Sequence, residues 1–141
     1  MSYIKDFTTT YCFGDKKYKI TAPARFDEKT NQPIYDAELD DRATEMARNA
    51  YRDDTGLIYP SEIQAFRDAA KLSQSDLAAL TGITVNTIAL YEAGAFPIPE
   101  HNELLKKLTS DDAFLKQTIT DNSKNLPSEL VSKILDYLHN N

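Results

Sequence analysis

Three residues, Thr81-Gly82-Ile83, constrain this chain more than any others. They separate two apolar periodic runs with too little chain for a loop, and Gly82 can take a positive φ without the clash a Cβ would bring. Upstream, Pro60 suits a first helical position, and Ile63, Phe66 and Ala70 share one face of the helix it starts. Ser73 and Asp76 then make an S-x-x-D capping box for a second helix carrying Leu77, Ala78 and Leu80. Downstream, Thr84 acts as N-cap of a third helix, Ile88 and Tyr91 fall at i, i+3 on its buried side, and Gly94 closes it. Two short helices clasped about a tight corner form a helix-turn-helix. Its second member leaves Val85, Asn86, Ala89 and Leu90 facing outward.

The chain of 141 residues is long enough for one ordinary domain or two small ones, and 41% apolar with 27% charged residues indicates a soluble globular protein rather than a disordered one. No apolar run approaches a membrane span, and the start Met-Ser-Tyr-Ile-Lys-Asp-Phe lacks the apolar core of a secretory signal, so a cytoplasmic location is expected. Cys12 stands alone, which excludes an intramolecular disulfide and a Cys-x-x-Cys metal site.

The expected fold class is α+β. A small N-terminal β-hairpin plus helix fills 1–56, a five-helix domain fills 57–120, and a linker with a C-terminal helix fills 121–141. Thr8 to Ala22 alternates in the β manner about Gly14-Asp15, a hairpin turn. Short strands are expected at 24–26 and 33–35. A helix then runs from Leu39 to Arg52 with Ala43, Met46, Ala47, Ala50 and Tyr51 as its apolar stripe, packed on the hairpin. The hairpin gathers Lys16, Lys17 and Lys19, with Lys5 and Arg25, around Tyr11 and Tyr18. Such a ribbon can lie along phosphates, or its lysines can guard an exposed strand edge.

Beyond Gly94, Ala95-Phe-Pro-Ile-Pro99 is too rich in proline for helix, and Phe96 and Ile98 are expected to tuck under the third helix. Helices follow from Pro99 to Leu108 and from Asp111 to Ile119. In the last helix Leu130, Val131, Ile134, Leu135 and Leu138 make a continuous stripe, which either the chain's own core or a second copy must cover.

Leu72-Ser73-Gln74, Leu77-Ala78, Gly82, Val85-Asn86 and Tyr91-Glu92-x-Gly94 resemble the XRE or lambda-repressor-like helix-turn-helix, more narrowly the C-terminal domain of MqsA-type antitoxins. The resemblance implies a repressor-like five-helix domain in which Arg67 pairs with Glu92 as a structural ion pair. It further implies a dimeric transcriptional regulator of a toxin-antitoxin system that binds its own operator and neutralises a protein partner, possibly a toxin. MqsA-type antitoxins carry a zinc domain before the helix-turn-helix; here a cysteine-poor hairpin stands in its place, so no metal or other cofactor is expected.

In such a motif the start of the third helix meets base edges. The residues so placed are Thr84, Val85, Asn86 and Thr87, with Gln74 at the start of the second helix. Asn86 can bond adenine bidentately, Val85 can touch a thymine methyl, and Thr84, Thr87 and Gln74 can bond phosphates. The family pattern is broken at Leu90 and Val85, where relatives often carry basic residues. No Lys or Arg occurs between Lys71 and Lys106, and the net charge of −6 opposes phosphate binding. Two readings therefore stand: binding of double-stranded DNA, or a helix-turn-helix protein-binding module with Val85, Ala89 and Leu90 as its contact patch.

No catalytic site is expected. His101 and His139 read as solvated surface residues, and Asp40-Asp41, Asp53-Asp54 and Asp111-Asp112 sit at helix ends, where carboxylates cap amides or meet the dipole.

Overall fold

A computed structural model describes residues 1–140 and divides into two units, Met1–Gly56 and Leu57–Asn141. In the first unit, Gly14 at φ 63 turns the chain between strands β1 (Ser2–Phe13) and β2 (Lys16–Asp27). They pair antiparallel in unbroken register, from Ser2 opposite Asp27 to Phe13 opposite Lys16. The strands outrun the expected Thr8 to Ala22 because an aromatic cluster holds their far ends. Tyr3 stacks on Phe26 at 5.7 Å, Phe7 meets it edge-on at 5.5 Å, and the Lys5 ammonium lies 4.6 Å from the same ring.

Strand β3 (Pro33–Ile34) adds to β2 opposite Arg25 and Phe26, giving the sheet order β1-β2-β3. The turn before it is closed by Asp27 N donating to Gln32 O at 2.9 Å and Asn31 N donating to Asp27 O at 2.8 Å.

Helix α1 (Ala37–Thr55) starts two residues before the expected Leu39 because Asp36 is its N-cap. The Asp36 carboxylate accepts from Leu39 N at 3.1 Å and from Arg25 Nε at 2.8 Å, so one side chain both starts the helix and ties it to β2. The Arg25 bond, then the Leu39 amide, hold this carboxyl below the ordinary 3.8. Ala47 is fully buried against Ile20 and Ala22, with Tyr11, Phe13, Tyr18, Ala43 and Ala50 packed around them. Met46, expected in the same stripe, is 42% exposed.

Strand periodicity decides the fate of the basic ribbon. Tyr11 and Tyr18 face one another across the ladder on the helix-covered side, whereas Lys17 and Lys19 alternate onto the opposite face. Lys17 and Lys19 are thus parted from the rings, while Lys5 lies over Phe26 and Lys16 is engaged by Asp54, so the arrangement favours edge protection over a phosphate ribbon. Because β3 reaches only Arg25 and Phe26, the earlier part of β2 has an open edge, and Lys16, Lys17, Lys19 and Pro23 guard it.

The expectation that Asp54 serves its own helix end is also corrected. Its carboxylate accepts from the Tyr18 hydroxyl at 2.7 Å and lies 3.4 Å from Lys16 Nζ, pinning the hairpin tip to the end of α1. Partial burial, then the Asp54 bond, push the Tyr18 phenol up from 10.0 to about 12. A phenol with a raised folded value stabilises fully below the unfolded value and loses that contribution as pH climbs through the folded one. Unfolding measured across the alkaline range is therefore expected to show the wild type falling between pH 10 and about 12 relative to Tyr18→Phe, and parallel curves would refute this.

The second unit is helical: α2 (Pro60–Ala70), α3 (Gln74–Thr81), α4 (Val85–Glu92), α5 (Pro99–Ser110), α6 (Asp112–Asp121) and α7 (Ser128–His139). Ile63, Leu77, Ile88, Leu105, Leu115 and Ile134 form the centre of one core, each 1% exposed or less. Helix α7 belongs to that core. Leu130 and Ile134 are buried, Val131, Tyr137 and Leu138 pack against them, and Tyr137 meets Phe66 edge-on at 5.5 Å. The terminal stripe is thus covered by the chain itself, except for Leu135, which is 48% exposed. Ile98 is 51% exposed and does not tuck under α4; Pro97 takes the buried place beside it. Among the described residues no helix is long and apolar enough to cross a membrane.

Candidate nucleic-acid interface

The corner between α3 and α4 is built by hydrogen bonds that its sequence supplies. Ser73 Oγ accepts from Asp76 N at 3.0 Å while Asp76 Oδ2 accepts from Ser73 N at 3.0 Å, the reciprocal box that opens α3. At the other end, Gly82 adopts φ 78 and donates its N–H to Ala78 O at 2.9 Å. Thr81 Oγ1 donates to Leu77 O at 2.8 Å and accepts from Ile83 N at 3.1 Å. A Cβ added at Gly82 would meet nothing within 4 Å. Gly82→Ala is thus expected to cost about 1–2 kcal/mol from backbone strain alone, checked by urea unfolding.

Arg67 and Glu92 form the expected pair. Nε and Nη2 of Arg67 reach the two Glu92 oxygens at 2.7 Å each, and Nη1 donates to Leu72 O at 3.1 Å. One guanidinium therefore joins α2, the turn into α3 and the end of α4. Gln74 enters the same network, with Nε2 3.4 Å from Glu92 Oε1, so this donor points inward rather than toward a phosphate.

The first turn of α4 lies open. Thr84 Oγ1 caps Thr87 N at 3.3 Å and donates to Thr87 Oγ1 at 2.8 Å, leaving the Thr87 hydroxyl proton as the outward donor of the two. Val85 is 39% exposed and Leu90 60%. Asn86 is exposed, and among the described residues its amide makes no hydrogen bond, so both of its faces are available to a ligand.

Residues 63–100 match the family model described as helix-turn-helix, which supports the XRE type. This segment is a helix-turn-helix. A comparison with curated proteins finds no match. Within the helix-turn-helix, α4 occupies the recognition position, with Asn86 on its exposed first turn.

In the second unit, two further contacts escaped the sequence reading. Lys133 on α7 lies 3.1 Å from Asp76 Oδ2, at the capping box of α3. Burial raises the Asp76 carboxyl, but the Ser73 amide and Lys133 outweigh it, and the net shift is downward. A separation of 57 residues leaves no local signal for this pair. His101, expected as a solvated histidine, is half-buried, and its Nδ1 lies 2.7 Å from the Tyr91 hydroxyl, fixing the start of α5 to α4. Among the described residues no group of His, Cys, Asp and Glu could hold a metal ion.

Proposed function

We propose that this chain is a cytoplasmic, XRE-type transcriptional regulator that reads double-stranded DNA with the first turn of α4. Supporting the reading is the free Asn86 amide, presented on a helix whose far end is locked by Arg67 and Glu92. In the major groove that amide accepts from adenine N6 and donates to N7, Val85 contacts a thymine methyl, and Thr87 bonds a phosphate. The domain then acts as the five-helix repressor type, α2 to α6, with α7 closing it.

As in MqsA-type antitoxins, the chain acts as a homodimer that represses its own promoter, and its first unit binds a protein partner such as a toxin. It carries out no catalysis and needs no cofactor. Few phosphates are neutralised, so binding is expected to fall only shallowly with salt. Titrating the DNA upstream of its own gene, in a salt series against an unrelated duplex, tests the reading. A specific complex with a shallow salt slope supports it, and the absence of any specific complex at low salt overturns it.

A second reading is favoured by Leu90 at 60% exposure and by the absence of Lys and Arg between Lys71 and Lys106. In that case the same face binds protein instead of DNA, and an acidic chain suits a basic partner.

A further inference from the structure

The two long edges of the sheet are treated differently. The open part of β2 carries lysines and a proline, the usual protection against pairing with another chain. Strand β1, at the outer edge of the sheet, carries the run Phe7-Thr-Thr-Thr-Tyr-Cys-Phe13, which has no charge, proline or glycine and is continuously in register with β2. Its outer row of amides and carbonyls is a template for one more strand, and Phe7 is 41% exposed beside it.

We infer that β1 pairs antiparallel with β1 of a second copy, about a twofold axis through Thr10. The run is self-complementary about that point. Phe7 falls opposite Phe13 of the copy as a cross-strand aromatic pair, and Thr10 falls opposite Thr10. Pairing also satisfies the open backbone row, which no charged guard keeps solvated. This surface gives the proposed homodimer its contact and rests on that part of the proposed function, but not on DNA binding.

Full-length protein carrying Cys12→Ser with Thr10→Cys tests the geometry. Residues facing one another in an antiparallel pair have Cα atoms about 4.5–5.5 Å apart, within disulfide range. Mild oxidation is expected to convert this variant almost wholly to a covalent dimer, whereas Cys12→Ser alone gives none. Thr10→Lys, at an exposed position, sets like charges face to face and is expected to leave a folded monomer by light scattering. A dimer that neither cross-links through position 10 nor dissociates in Thr10→Lys overturns the edge pairing and leaves the dimer reading standing. A wild-type monomer at micromolar concentration overturns both.

Discussion

Arg67→Ala is expected to destabilise the second unit by about 3–5 kcal/mol, the range for breaking a buried ion pair by removing one partner. The Glu92 carboxylate is only 5% exposed and the Arg67 side chain 17%. With the guanidinium gone, a charge stays in a place water barely reaches, and Leu72 O loses its donor as well. Arg67→Lys is expected to recover little, since one ammonium cannot bridge both carboxylate oxygens and that carbonyl. Replacing both partners by apolar residues should recover much of the loss, because the cost lies in the orphaned charge rather than in a missing attraction. Urea unfolding of the three variants measures this; an Arg67→Ala loss below about 1 kcal/mol, the value of a surface pair, would refute it.

Ile134→Ala carries the next largest effect, about 2–5 kcal/mol, as lost burial plus the cavity left behind. Ile134 has no exposed surface, in a core shared with Ile63, Phe66 and Leu77. Leu135, its neighbour on the same helix, is 48% exposed, and Leu135→Ala is expected to stay within about 0.5 kcal/mol. The contrast between adjacent residues tests whether α7 is a working part of the core. Equal losses at the two positions would show that the helix is held some other way.

Local chemistry explains which features the sequence revealed. The capping box at Ser73 and Asp76, the cap at Thr84 and the left-handed Gly82 are each set by neighbours within a few residues, and each is found where expected. The Arg67–Glu92 contact spans 25 residues yet was foreseeable, because a family resemblance supplied what periodicity could not. Without such help, long-range contacts stayed hidden. Asp54 held by Tyr18, Lys133 at the α3 cap and His101 beneath Tyr91 all depend on how distant elements meet. Helix periodicity predicted that the α7 stripe would be buried but could not name the surface that covers it. Strand alternation was visible at once in the hairpin. That alternation alone parts Tyr18 from Lys17 and Lys19, and the placement of α1 showed which of the two faces is covered. At the proposed interface, the residue types were readable in advance, whereas the mutual bonding of Thr84 and Thr87 and the inward turn of Gln74 were not.

The most direct test of the central claim compares wild type and Asn86→Ala on the operator fragment and on fragments with single base changes, at one fixed salt concentration. The account predicts that wild type discriminates by about 1–3 kcal/mol at one adenine and that the variant loses this preference there and nowhere else. Identical base preferences for the two proteins at every position would contradict it.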